Sequence, residues 1–139
     1  MKLRHILLIM GALAVAAGQS STQAVIVNLE TANWTHEKGS PTGSEGVLVH
    51  ADQTNGGIDL LVRFPAGHVI APHFHDSNER IFIAEGQLTL HQDTGDKLLS
   101  AGGFAFLPAH EIQRLSCSSN TRCTFYLSWD GKPDSHPAK

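Results

Sequence analysis

The sequence predicts an all-β protein, built as a sandwich or barrel in a single domain. Short apolar runs recur along the chain, and turns rich in Gly, Pro, Asn and Asp separate them. Strands spaced by turns at about 8–12 residues are typical of all-β sandwiches and barrels. Beyond the N-terminus, no long stretch has the 3.6-residue period of an amphipathic helix. The length of 139 residues suits one domain.

The N-terminus has the features of a secretory signal peptide. Two basic residues precede an apolar run from Ile6 to Ala17, and small and polar residues follow up to Ala24. The run is shorter than the roughly 20 residues of a membrane span. We therefore expect residues 1–24 to be removed, with cleavage after Gly18 or an uncleaved anchor as alternatives. Residues 25–139 would form the mature domain, in the periplasm or secreted.

The charge balance argues against nucleic acid as a partner. The chain has 10 basic and 13 acidic residues, with a net charge of −3. Removal of the signal peptide takes two of the basic residues away and makes the domain more acidic. Binding to a phosphate backbone depends on clustered basic side chains, and no basic stripe is present. No other long apolar segment occurs, so we expect no membrane association after cleavage.

The strands can be placed from their period of two and their turns. The clearest is Ile58–Phe64, where apolar and other residues alternate before a turn at Pro65–Gly67. The core of the domain should run from about residue 57 to 129. Val25–Leu29 is a candidate edge strand that could add to a neighbour's sheet, which predicts a homodimer. The predicted strands are Val25–Leu29, Val47–His50, Ile58–Phe64, Ile81–Ala84, Leu88–His91, Leu98–Leu99, Phe104–Leu107 and Cys123–Trp129.

Two cysteines, Cys117 and Cys123, flank a short polar loop. In an exported protein this arrangement indicates a disulfide between two strands, which would stabilise the fold by about 2 kcal/mol. The alternative is a pair of free buried thiols in a cytosolic chain. A zinc site is disfavoured because the pair lacks the usual CxxC spacing.

Three metal-ligating side chains lie close together in His73, His75 and Glu79. Residues two apart on an extended strand point to the same face, so the two histidines project together. The residues Asp76–Asn78 form turns readily, and a chain reversal there can bring the Glu79 carboxylate back to the imidazoles. Two histidines and a carboxylate suit a divalent iron, manganese, nickel, copper or zinc ion with open positions for substrate.

This stretch resembles the first motif of the cupins, in which Gly67, His73, His75, Glu79 and Gly86 match every defined position. The resemblance covers roughly residues 57–129. It implies a small single-domain cupin of the type-2 conserved-barrel kind, with a double-stranded β-helix, or jelly roll. It also implies that the two histidines and the glutamate bind the metal.

The second cupin motif is less complete. Gly102 and Pro108 fit its opening, but His110 stands where the motif has a glycine, and Gln113 stands where it has a fourth ligand, a histidine. The resemblance therefore implies a weaker fourth bond from the Gln113 amide oxygen. His110 is the alternative, although its position predicts that it faces another way.

Three polar residues in the predicted strands, Arg63, Tyr126 and Ser128, are candidates for lining a pocket. No nucleophile motif or phosphate-binding loop is present. Because cupins have many functions, the resemblance leaves two open. The first is an exported metal-dependent small-molecule enzyme, most plausibly a dioxygenase. The second is a domain that binds or senses a small molecule without turnover, and a purely structural barrel is the least favoured reading.

Overall fold

The computed structural model describes residues 23–36 and 43–139. The predicted signal peptide up to residue 22 lies outside these ranges. The described residues form strands, turns and loops without a helix, so the all-β prediction is confirmed. Accordingly, those residues include no helix that is long and apolar enough to cross a membrane.

The strands are short and follow one another closely along the described chain. They are β1 (Thr35–His36), β2 (Glu45–Ala51), β3 (Ile58–Phe64), β4 (Val69–Phe74), β5 (Glu79–Glu85), β6 (Gln87–Gln92), β7 (Gly95–Ser100), β8 (Phe104–Leu107), β9 (Gln113–Cys117), β10 (Cys123–Trp129) and β11 (His136–Pro137).

The strands form two antiparallel sheets. The six-stranded sheet has the order β1-β2-β3-β10-β5-β8, and the five-stranded sheet has the order β11-β4-β9-β6-β7. From β3 to β6 the chain changes sheet at every connection, and it does so again from β7 to β11. These crossings wrap the two sheets around one interior, which is the arrangement of a jelly roll.

The interior is filled by the alternate residues of the strands that face inward. In β3 every second side chain is buried, beginning with Ile58 and ending with Phe64. The neighbouring strand β10 is paired with β3 and presents Phe125, Leu127 and Trp129 to the same interior. The alternation seen in the sequence therefore marks the inward and outward faces of these strands correctly.

The predicted strand at Val25–Leu29 is wrong, because this segment is not paired to any described strand. Instead, the Leu29 carbonyl accepts hydrogen bonds from Trp34 Nε1 at 3.1 Å and from Arg63 Nη2 at 3.2 Å. Ile26 is 86% exposed. A β-rich run forms a strand only where a partner edge satisfies its backbone, and among residues 23–36 and 43–139 no strand pairs with this run.

The disulfide between Cys117 and Cys123 is present, as the sequence predicts, with the two Cα atoms 5.8 Å apart. Cys117 ends β9 and Cys123 begins β10, so the bond ties the five-stranded sheet to the six-stranded sheet. Both cysteines are buried. Gly86 lies against this connection, because a Cβ there would be 2.7 Å from the Arg122 carbonyl oxygen.

We expect Gly86→Ala to destabilise the fold more than Gly67→Ala. Both glycines have φ +78°, but a Cβ at Gly67 would meet nothing within 4 Å. The left-handed backbone should cost each variant about 1–2 kcal/mol. Gly86→Ala should lose roughly a further 1–3 kcal/mol, because the methyl group meets backbone atoms that cannot move aside. Urea unfolding of both variants measures the difference, and equal losses would contradict the close approach at Gly86.

Candidate functional site

A cavity of about 60 Å³ lies between the two sheets at one end of the barrel. Its walls are mostly apolar, and three titratable side chains of the predicted cluster enter it, with two residues of the C-terminal tail beside them. The residues that line it are Leu60, Val62, Phe64, Ile70, His73, His75, Glu79, Leu115, Phe125, Leu127, Trp129, Asp134 and Ser135.

The four predicted ligand residues come from both sheets. His73 lies on β4, and His75 follows the end of that strand. Gln113 begins β9 and is the cross-strand partner of His73. Glu79 begins β5 in the other sheet, so the turn after His75 crosses between sheets and does not form a hairpin. All four side chains are buried, with exposures of 3% for His73, 6% for His75 and 2% for both Glu79 and Gln113.

Backbone carbonyls hold both imidazole rings. The Nδ1 atom of His73 is 2.8 Å from the Ala71 carbonyl oxygen, and Nδ1 of His75 is bonded to the Asp134 carbonyl oxygen. A carbonyl can only accept, so each Nδ1 must carry the proton. In a neutral ring this leaves the Nε2 lone pair free, which is how metal-binding histidines are oriented by their outer partners.

Two buried polar atoms in this cluster have no hydrogen-bond partner: Nε2 of His75 and Oε1 of Gln113. His75 Nε2 is 3.4 Å from Glu79 Oε2, too long for a well-formed hydrogen bond. The Gln113 amide nitrogen donates to the same Glu79 oxygen. In the neutral ring, the His75 lone pair therefore faces a carboxylate. Only a proton or a cation makes that contact favourable, because unpaired buried polar groups are costly.

The electrostatics of the two histidines differ. Burial lowers the pKa of His73 below its ordinary value, and the bond to the Ala71 carbonyl only partly opposes this effect. Burial also lowers the pKa of His75, but the Glu79 carboxylate and Asp134 outweigh burial and raise the pKa of His75 above its ordinary value. The metal-free cluster is thus suited to hold one positive charge next to Glu79.

The residues fit a divalent metal in their chemistry, because they offer imidazole nitrogens, a carboxylate and an amide oxygen as donors. The rings of His73 and His75 are 4.9 Å apart between centroids. However, the donor atoms of His73, His75 and Glu79 do not all lie within 4.8 Å of one another. These side chains must therefore move to complete a coordination shell.

The structure places Gln113, and not His110, beside the cluster. His110 has φ +67°, and its side chain is 67% exposed. Its Nδ1 atom lies 3.5 Å from Asp76 on the outside of the barrel. His110 is therefore not available as the fourth ligand in the interior.

Arg63, Tyr126 and Ser128, predicted as possible pocket residues, do not line this cavity. They lie on the outer face of the six-stranded sheet, opposite the buried residues of their strands. The Arg63 guanidinium stacks on the Trp34 ring at 3.6 Å, and the Tyr126 hydroxyl donates to Asp59 at 2.6 Å. In a barrel, an interior cavity is lined by the side chains that point inward. The side chains that alternate with them point outward and cannot reach it.

Asp134 and Ser135, in the C-terminal tail, were not predicted to be part of the site. The tail returns across the barrel, where β11 pairs with β4 and places His136 opposite Phe74. Asp134 thereby reaches His75 with its carbonyl. No local signal in the tail sequence predicts this return, because two paired residues are too few to form a recognisable strand pattern.

A comparison with protein families shows which family the chain belongs to. The model of the ChrR cupin-like domain matches residues 22–130, which is most of the sequence. The chain belongs to the ChrR cupin-like domain family. The cupin resemblance of the His73–Glu79 motif is thereby confirmed. A comparison with curated protein sequences gave no match.

Solved structures of other cupins share the fold. One from Methylibium petroleiphilum, proposed to be an acetylacetone dioxygenase, has a TM-score of 0.67 at 21% identity over 87% of this chain and 90% of that chain. The polyketide cyclase RemF from Streptomyces resistomycificus has a TM-score of 0.66 at 18% identity, over 84% and 87% of the two chains. A chain of Rhodobacter sphaeroides SigE in complex with the anti-sigma ChrR has a TM-score of 0.59 at 17% identity. This match covers 74% of the present cupin and 51% of that chain.

In the metal-free protein, we expect His75 to keep its proton to a higher pH than an ordinary histidine and His73 to lose it at a lower pH. Glu79→Gln should lower the pKa of His75, because it removes the negative charge that opposes burial. Histidine NMR titrations measure both values. Glu85→Gln, at the other end of β5, is the matched control and should leave them unchanged. A pKa of His75 that is unaffected by Glu79→Gln would contradict the described contact.

Proposed function

We propose that this cupin binds a divalent metal inside its barrel through His73, His75 and Glu79, with Gln113 as the fourth ligand. The observation that supports this most directly is the pair of buried, unpartnered atoms beside the Glu79 carboxylate, His75 Nε2 and Gln113 Oε1. A cation would satisfy both atoms at once. It would also release the Gln113 amide from Glu79, since the amide oxygen must turn toward the metal.

We further propose that the metal serves small-molecule chemistry of the dioxygenase type. When bound, a redox-active divalent metal such as iron would supply Lewis acidity and electron exchange at its open positions. The chain itself orients the ligands through Ala71 and Asp134, and its apolar walls keep bulk water from the site. When Glu79 is not bound as a ligand, its carboxylate is placed to act as a base at the site.

The lining of the cavity indicates the class of substrate. Apart from the metal cluster and the tail residues, every side chain that lines it is apolar, including Phe64, Phe125 and Trp129. Such walls favour a small apolar or aromatic molecule. With no cationic side chain in the wall to bind an anion, the polar end of the molecule would have to bind at the metal.

A second function is supported by the family itself. The ChrR cupin-like family match and the likeness to a chain of a complex that contains an anti-sigma protein suit a domain that binds a metal or ligand as a signal. In that case the same pocket would hold its ligand unchanged. We place this function second, because an apolar cavity beside the metal cluster would also hold a substrate in position to react at the metal.

Export and self-association remain proposals. The signal-peptide pattern and the disulfide between Cys117 and Cys123 favour an oxidising compartment, such as the periplasm. The exposed Val25 and Ile26 offer an apolar segment to a second copy, which favours a homodimer. Light scattering of the mature protein tests this directly, since a mass of one chain would contradict the dimer.

We expect the purified protein to contain a divalent metal, and His73→Ala/His75→Ala to lose one equivalent per chain. Removing two of the proposed ligands leaves too few donors to hold the ion. The double variant His50→Ala/His91→Ala is the matched control, because each of these histidines pairs with a surface aspartate far from the cavity. Elemental analysis measures the metal content. Equal metal in the wild type and the His73/His75 variant would contradict the site.

Oxygen consumption separates the two candidate functions. The iron-loaded protein should take up oxygen with a small phenol or diketone and convert it, if the site is a dioxygenase. Tight binding with the molecule recovered unchanged, and without oxygen uptake, would instead support the binding function.

A further inference from the structure

A second group of metal-ligating side chains lies on the outer side of the barrel mouth. It consists of Asp76, Asp134 and His136, whose donor atoms all lie within 4.8 Å of one another. His136 Nε2 is 3.1 Å from Asp76 Oδ2 and 3.5 Å from Asp134 Oδ2. The group is accessible to solvent, with side-chain exposures of 54% for Asp76, 27% for Asp134 and 43% for His136.

The three residues are held in place by the backbone around them. The Asp76 amide donates to Asp134 Oδ1 at 3.0 Å, which sets the two carboxylates side by side. The pairing of β11 with β4 places His136 opposite Phe74. The two rings stack with centroids 4.9 Å apart and an angle of 26° between the planes. This stacking limits rotation of the imidazole, so Nε2 stays directed at the carboxylates.

The chemistry of the group is that of a cation site. At a pH where the imidazole is neutral, two carboxylates face each other with no positive charge among the three donors. A fourth donor is close, because His110 Nδ1 lies 3.5 Å from the other oxygen of Asp76. Imidazole with carboxylate oxygens suits zinc and similar first-row ions.

We propose that Asp76, Asp134 and His136 form a second, outer site for a divalent cation of the zinc class. The site is separate from the position proposed for the interior metal. It joins the turn after β4 to the C-terminal tail, so the bound ion fastens the tail across the mouth of the cavity. Asp134 belongs to both places: its carboxylate faces the outer site, and its carbonyl holds the ring of His75.

A simpler explanation of the same contacts is an ion pair between a protonated His136 and the two aspartates. The two explanations differ in what they predict for added zinc. A cation site binds zinc through these three side chains, whereas an ion pair alone does not. Zinc binding that is lost when the side chains are replaced therefore tests the cation site specifically.

The experiment is zinc titration of the untagged, metal-stripped protein by calorimetry. The outer-site variant is Asp76→Asn/His136→Phe, in which the phenyl ring preserves the stacking on Phe74. The inner-site variant is His73→Ala/Glu79→Gln, which retains His75 and its bond to the tail. The matched control carries the same two changes at another histidine–aspartate pair, His91→Phe/Asp96→Asn, whose Nδ1 and Oδ1 atoms are 2.8 Å apart.

We expect two equivalents of zinc in the wild type and the control, and one in each site variant. Asp134→Asn should reduce the outer binding in the same way. If the wild type and the inner-site variant each bind one equivalent, and the outer-site variant none, the outer site stands and the inner site does not. An outer-site variant that binds as much zinc as the wild type would overturn the proposal, as would a control that loses as much as that variant.

Hydrogen exchange gives a second readout. The Ala138 amide donates to the Pro72 carbonyl at 3.0 Å and reports whether the tail is docked. Zinc should slow its exchange in the inner-site variant and leave it unchanged in the outer-site variant. Equal protection in both variants would overturn the fastening role.

Discussion

The buried contact between His75 and Glu79 is the constraint around which this cupin is built. It brings a carboxylate from one sheet against an imidazole from the other, in an interior filled mostly by apolar side chains. Burying such groups is costly unless each polar atom is paired. The surrounding structure meets much of that requirement, with carbonyls on both Nδ1 atoms and an amide on Glu79. Two buried atoms beside this contact, His75 Nε2 and Gln113 Oε1, remain without a hydrogen-bond partner.

The fold is suited to hold this contact. The crossing between β4 and β5 carries the chain from one sheet to the other, so His75 and Glu79 face each other across the interior. The disulfide ties the same two sheets together elsewhere, between β9 and β10. The C-terminal tail adds the last support, because Asp134 holds His75 from outside. The site thus depends on three parts of the chain that are distant in sequence: residues 71–79, the start of β9 at Gln113, and the C-terminal tail at Asp134.

Much of the fold and the centre of the site could be predicted from the sequence, because they are local. The period-two strand at Ile58–Phe64 and the spacing of His73, His75 and Glu79 are both visible within a few residues. The parts that were missed depend on distant partners. Val25–Leu29 has the composition of a strand but finds no edge to pair with, and the return of the tail to β4 involves only two residues. Arg63 and Tyr126 lie opposite the buried residues of their strands, as their alternation indicates, and so they do not line the cavity between the sheets.

In the metal-loaded protein, we propose, His73, His75, Glu79 and Gln113 bind one metal ion. Anomalous diffraction from a crystal of the metal-loaded protein tests this arrangement. We expect a peak between the sheets, about 2.0–2.3 Å from Nε2 of both histidines and from the Glu79 carboxylate, with the Gln113 amide turned away from Glu79. A loaded crystal with no peak between the sheets, and with Gln113 still bonded to Glu79, would contradict it.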